Sequence, residues 1–132
     1  MATMRFTARV NRNLGDSWSA ISTPNTIAKW YPGVISAETS GNVRTVRGES
    51  DGQTGEVKDI IITNDDRLHR FQYRVEGVEG HLATVDAIAI ADDDTLIIYS
   101  VEVASDDVAA AWSPLMEAGV NGLKSYLEQS PK

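Results

Sequence analysis

Apolar and polar positions alternate along most of this chain, and the period changes at two places. Arg5–Val10 alternates as a strand does, with successive side chains on opposite faces. The polar stretch Asn11–Gly15 follows and suits a helix start. Asp16–Ile21 and Thr26–Tyr31 read as two short helices separated by Thr23-Pro24. Pro24 fits the first turn of the second, and Pro32 ends it. Strands then come in series: Val34–Thr39, Val43–Gly48, Gly55–Thr63, Leu68–Val75, Ala83–Ala91 and Thr95–Ala104. Their connections are short and rich in turn formers, which suits antiparallel neighbours.

The last third returns to a helical period. Val108, Trp112, Leu115, Met116, Gly119, Leu123 and Leu127 share one stripe, with Ser105-Asp106-Asp107 as candidate caps. Pro114 predicts a kink, or a restart capped by Ser113. Gly119 and Gly122 cost a helix about 1 kcal/mol each relative to alanine, so a close approach, such as that of the sheet, should compensate. The expected fold class is α+β: seven antiparallel strands curve around one long C-terminal helix, with two short helices after the first strand. So much sheet against one helix leaves a concave surface that nothing else in the chain fills.

Composition narrows the chemistry. The 132 residues fit one domain, 1–132. The absence of cysteine excludes disulfides, thiol nucleophiles and cysteine-based metal sites. No apolar run approaches the roughly 20 residues needed to span a bilayer, and the N-terminus lacks a secretory apolar region. A cytoplasmic protein without membrane insertion is the expectation. The net charge of −7 argues against nucleic acid as a partner. Nearly all of that charge lies in the second half, largely in Asp92, Asp93, Asp94, Glu102, Asp106 and Asp107, which read as solvated turns and strand ends. His69 and His81 have no ligand spacing, so no metal and no cofactor are expected. Monomer and homodimer both remain open.

The order of elements, with Ser17-Trp18, Trp30-Tyr31-Pro32, Gly41-Asn42-Val43-Arg44, Val57-Lys58-Asp59, Phe71-Gln72-Tyr73 and Gly122-Leu123-Lys124 in sequence, resembles the SRPBCC or START-like superfamily. This is the helix-grip, birch-pollen-allergen-like group, and the compact bacterial polyketide cyclase/dehydrase and lipid-transport members are most similar. The likeness runs from Arg5 to Glu128. It implies a ligand cavity between sheet and long helix. Members bind lipids, sterols, hormones or polyketides, and some cyclise or dehydrate polyketides. Glu49–Gly55 does not match the gate loop of the plant hormone receptors in this group, and His81-Leu82 only partly echoes their latch.

Strand alternation selects the side chains that would face such a cavity. Ile88 and Ile90 are expected inside, carrying Thr84 and Asp86 with them. Val57, Asp59 and Ile61 share a face, as do His69, Phe71, Tyr73 and Val75, then Ile97, Tyr99, Val101 and Val103, and finally Arg44 and Val46. A slip of one residue would turn any set outward. Arg44 and Asp59 suit a buried ion pair. Asp86 has no partner in the sequence; buried and unpaired, its pKa would rise and it could act as an acid or base. The expected function is binding of a small hydrophobic or amphipathic molecule by Trp30, Arg44, Val46, Phe71, Thr84, Ile88, Tyr99, Trp112, Leu115 and Met116. The alternative is a polyketide cyclase/dehydrase-type enzyme using Asp59, Asp86 and Tyr73.

Overall fold

In the computed structural model residues 1–129 are described. Seven strands run β1 Ala2–Val10, β2 Val34–Ser40, β3 Val43–Ser50, β4 Gln53–Asp65, β5 Arg70–Val75, β6 Leu82–Ala91 and β7 Asp94–Val103. Three helices are α1 Leu14–Ser22, α2 Ile27–Trp30 and α3 Asp106–Gln129, with a 3-10 turn at Pro24–Thr26 before α2. Every sheet pairing is antiparallel, in the order β1-β7-β6-β5-β4-β3-β2. This is the α+β helix-grip architecture expected from the sequence. No described helix is long and apolar enough to cross a membrane.

Local chemistry sets the joints. Asn13 caps α1, its side-chain oxygen accepting from the Asp16 amide at 2.7 Å. At the start of α3 the Ser105 hydroxyl oxygen accepts from the Val108 amide at 3.3 Å. α3 continues through Pro114 without restarting; Ser113 instead donates its hydroxyl to the Ala109 carbonyl at 2.8 Å. The C-terminal end of α3 is tied to the first strand: Lys124 donates to the Arg9 carbonyl, and Arg12 to the Leu127 carbonyl.

The core lies between the inner sheet face and the helices. Ile97, Tyr99, Val101 and Val103 from β7 and Phe71 and Tyr73 from β5 are buried there against Met116, Val120, Leu123 and Leu127 of α3. Two sets differ from the sequence expectation. In β6 the inward residues are Ala83, Val85 and Ala87, where α1 lies against the strand and only small side chains fit beneath it. Thr84, Asp86 and Ile88 therefore lie on the outer, convex face. Ile88 and Ile90 are 45% and 50% exposed. His69 is not on the Phe71 face either. It takes a left-handed backbone (φ 55°) in the β4–β5 turn and meets Trp18 edge-on at 5.6 Å. A bulge between Ile61 and Thr63 explains why Ile60, Ile61 and Ile62 are all apolar: it interrupts the alternation in β4.

The compensation for Gly119 and Gly122 comes from α2 rather than from the sheet. A Cβ on Gly122 would sit 2.2 Å from the Trp30 carbonyl oxygen, and one on Gly119 would sit 2.6 Å from the Tyr31 ring. The two glycines let the end of α2 press into α3, which carries the Tyr31 hydroxyl to the centre of the molecule.

Candidate functional site

The pairing of β3 with β4 places Arg44 directly opposite Asp59 on the inner face. Both are buried, at 3% and 4% exposure. Arg44 Nε and Nη2 reach one carboxylate oxygen, Oδ2, at 2.9 and 2.8 Å, and Nη1 donates to the Pro24 carbonyl at 3.1 Å. The guanidinium also lies over the rings of Phe71 and Tyr73, 5.3 and 5.0 Å from their centroids. All its strong partners are thus within the protein. Asp59 keeps its second oxygen, Oδ1, without a hydrogen-bond partner among the described residues. Burial raises the Asp59 pKa, against the opposing pull of Arg44.

Three phenols meet beside this pair. Tyr73 and Tyr99 hydroxyls are 3.0 Å apart, and Tyr31 reaches Tyr99 at 3.5 Å. Burial raises all three pKa values, so at neutral pH the phenols keep their protons. Two hydrogen bonds join three hydroxyls, so one proton is always left for a group outside the chain of phenols.

His81 completes the cluster from the β5–β6 connection. Gly80 has a positive φ of 70°, and a side chain there would meet the Ala104 amide nitrogen at 2.9 Å. The loop is therefore pressed against the start of α3 and fixes the next residue. His81 is 4% exposed, and its Nδ1 accepts from the Val75 amide at 3.0 Å. An imidazole that accepts at Nδ1 carries its proton on Nε2. The ring lies between Tyr73 and Trp112, with centroids at 5.8 and 5.7 Å.

Burial lowers the His81 pKa to about 4, from an ordinary 6.5. Between those values the unfolded chain binds the extra proton and the folded chain does not, so stability rises with pH across the window. This contribution is complete above about 6.5 and lost below about 4. It is worth on the order of 3 kcal/mol. Asp59, whose pKa is raised, acts in the opposite sense and offsets part of the slope. Urea unfolding at a series of pH values should show the rise. In His81→Phe the part of the rise nearest 6.5 should vanish, while the lowered carboxyls of Asp16, Asp65, Asp94 and Glu128 keep a rise at the acid end.

Two spaces adjoin these groups. An inner void of about 20 Å³ lies behind the phenols, against Trp30, Arg44 and Phe71, and is too small for an organic ligand. The Trp30 indole nitrogen is buried there with no partner among the described residues. On the other side an open cleft of about 1200 Å³ separates the β3–β4 sheet from α3. Val46, Asp59, Tyr73, Tyr99, Trp112, Leu115 and Met116 line it, all expected from the sequence. Val57, Val75 and Val101, also expected on the inner face, join them, as do Tyr31, Val78 and His81. Its mouth carries Glu49, Asp51, Glu56 and Glu76 against, among the described residues, the single cation Lys58.

The remaining site expectations are corrected by the β6 register. Asp86 stands opposite Arg70 on the convex face and is bound by it at 2.8 and 3.3 Å. Thr84 accepts from Gln72 at 3.0 Å on that same face. Asp86, Thr84 and Ile88 therefore have no access to the cleft, and the partner that the sequence did not reveal for Asp86 is Arg70.

Comparison with known proteins supports the architecture. The model of the polyketide cyclase/dehydrase and lipid transport family matches residues 1–128. No match was found among curated proteins. Among solved structures, the chain superposes on the Zhui aromatase/cyclase from Streptomyces sp. R1128 with a TM-score of 0.80 and 14% identity, covering 97% of this chain and 94% of that one. A START superfamily protein from Mycobacterium smegmatis gives 0.78 at 14% identity, covering 96% and 97%. The ginseng (Panax ginseng) major latex-like protein 151 gives 0.77 at 12%, covering 96% and 97%. At such identities these likenesses speak for the fold alone. With a family match spanning nearly its whole length, and the sheet, long helix and intervening cleft in place, the chain belongs to the polyketide cyclase/dehydrase and lipid transport family.

Proposed function

We propose that this protein binds a small, largely apolar molecule in the cleft between β3–β4 and α3. The observation that carries this reading is the cleft's build. Apolar walls from Val46, Val57, Val101, Trp112 and Met116 end on a compact polar floor of Asp59, three phenols and His81. Ligand sites are mostly apolar, with a few placed polar groups that fix orientation. Arg44, Phe71 and Trp30 act from behind: they hold Asp59 and the phenols in place rather than touch the ligand. A bound molecule at a hundred times its Kd should add about 2.7 kcal/mol of stability. Screening apolar and amphipathic compounds by heat denaturation, with native mass spectrometry for co-purified molecules, tests this. No stabilising compound and no bound mass would count against it.

A second reading is a cyclase or dehydrase. It is favoured by the unpartnered Oδ1 of Asp59 and by the raised pKa of that carboxyl, a pairing that suits proton transfer. In it Asp59 moves the proton and the phenols steady a developing oxyanion. Asp59→Asn would then remove turnover of a polyketide substrate while binding persists; equal turnover would remove Asp59 from the chemistry.

A further inference from the structure

His81 has an edge that the fold does not use. Its Nδ1 is tied to the β5 backbone, which fixes the proton on Nε2. That N–H has no partner among the described residues, and the residue lines the cleft between Trp112 and Tyr73. His81 as a whole is 4% exposed, yet its Nε2 is not sealed away, so water can reach it from the cleft. A ligand seated in the cleft displaces that water, and unless it supplies an acceptor of its own it leaves the donor unpaired at a cost.

The nature of the acceptor follows from the charges around it. The buried cation beside the cleft floor, Arg44, is bound to Asp59 and to the Pro24 carbonyl and is covered by two rings. Asp59 lines the same cleft, and the mouth is acidic at Glu49, Asp51, Glu56 and Glu76, with Lys58 as the only lining cation among the described residues. Burial keeps the imidazole neutral at physiological pH. An anionic head would thus enter past like charge and find no free cation at the floor, having lost its hydration. A ketone, ester or amide oxygen needs no counter-charge.

We infer that His81 is the specificity-determining residue of the cleft: its Nε2–H selects ligands that bury an oxygen acceptor, while Asp59 and the acidic mouth turn away the carboxylate counterparts of the uncharged ones. This rests on the binding function proposed above and adds the class of ligand to it.

Three probes of nearly one shape separate the outcomes: 2-acetylnaphthalene, 2-ethylnaphthalene and 2-naphthoate. One net hydrogen bond is worth roughly a threefold to tenfold preference for the ketone over the ethyl compound. The carboxylate should bind at least about tenfold more weakly than the ketone. In His81→Phe the ketone-to-ethyl ratio should fall severalfold, whatever the absolute affinities, with only the spare phenol proton left to hold the ketone. Should that variant not fold, histidine-labelled NMR of the unaltered protein gives the answer. The ketone, and not the ethyl compound, should shift the His81 Nε2 resonance and slow exchange of its proton. His69, against Trp18 in the β4–β5 turn, serves as the internal control. Equal binding of ketone and ethyl compound, tightest binding of the naphthoate, or an unmoved Nε2 signal with the ketone bound would overturn the role of His81 and leave the cleft reading standing. If none of the three binds up to millimolar concentration, the cleft reading falls and this inference falls with it.

Discussion

Gly122→Ala should destabilise the protein by about 3 kcal/mol or more, although helix propensity alone predicts a gain of about 1 kcal/mol. The added methyl would sit 2.2 Å from the Trp30 carbonyl oxygen and 3.1 Å from Pro32 Cδ. The first of these is backbone and cannot rotate away. Either α2 lifts from α3 or α3 shifts away from the sheet, and both remove packing around Tyr31. A loss of this size should lower Tm by roughly 10 °C or more. Asn121→Ala, next in the chain but exposed, is the control and should change stability by no more than a few tenths of a kcal/mol. If the two variants melt together, the close approach of α2 is not what the glycine serves. Gly119→Ala would act on the Tyr31 ring instead, and should also loosen the contact between Tyr31 and Tyr99.

The second large effect concerns the buried pair. Asp59→Leu leaves the Arg44 guanidinium at 3% exposure without its counter-ion, and should cost roughly 3–5 kcal/mol. Arg44→Met should cost a similar amount. The double replacement Arg44→Met with Asp59→Leu should recover most of the sum, because an apolar pair of similar volume has no charge to desolvate. Recovery should be incomplete, since the Pro24 carbonyl also loses its donor. A double-mutant cycle by urea unfolding measures the coupling, and simple additivity of the two single losses would contradict the account. The double variant should also lose the polar end of the cleft, so its preference among ligands should weaken even where its stability returns.

The sheet and long helix were legible because their periods are strong. β5 and β7 place Phe71, Tyr73, Ile97, Tyr99 and Val101 on one face by alternation, and β3 and β4 likewise place Arg44 and Asp59 inward. β6 was misread for a physical reason. Its inward positions, Ala83, Val85 and Ala87, are small because α1 crosses them, while the larger Ile88 and Ile90 stand on the convex face. Hydrophobic size pointed one way and available space the other, and a slip of one residue carried Thr84 and Asp86 to the wrong side. Charge held a clue: Arg70, outward because Phe71 is inward, needed a partner on the neighbouring strand, and Asp86 is that partner. Tyr31 escaped notice because its placement depends on two glycines ninety residues away in sequence, a tertiary contact with no local signal. His81 lies in a loop, where no period says which way a side chain points; only the close packing of Gly80 on Ala104 and the bond to the Val75 amide fix it.

The central claim is that an apolar molecule seats between the inner sheet and α3. It is tested most directly by ligand-to-protein NOEs with 2-acetylnaphthalene bound. Two apolar surfaces could compete: the cleft, with Met116, Trp112, Val46 and Val57, and the convex face, with Ile88 and Ile90 exposed. The account predicts saturable NOEs from the naphthalene ring to the Met116 and Val46 methyls and the Trp112 indole. It predicts none to Ile88 or Ile90. NOEs confined to the convex isoleucines, or no saturable contact with the cleft at all, would contradict it.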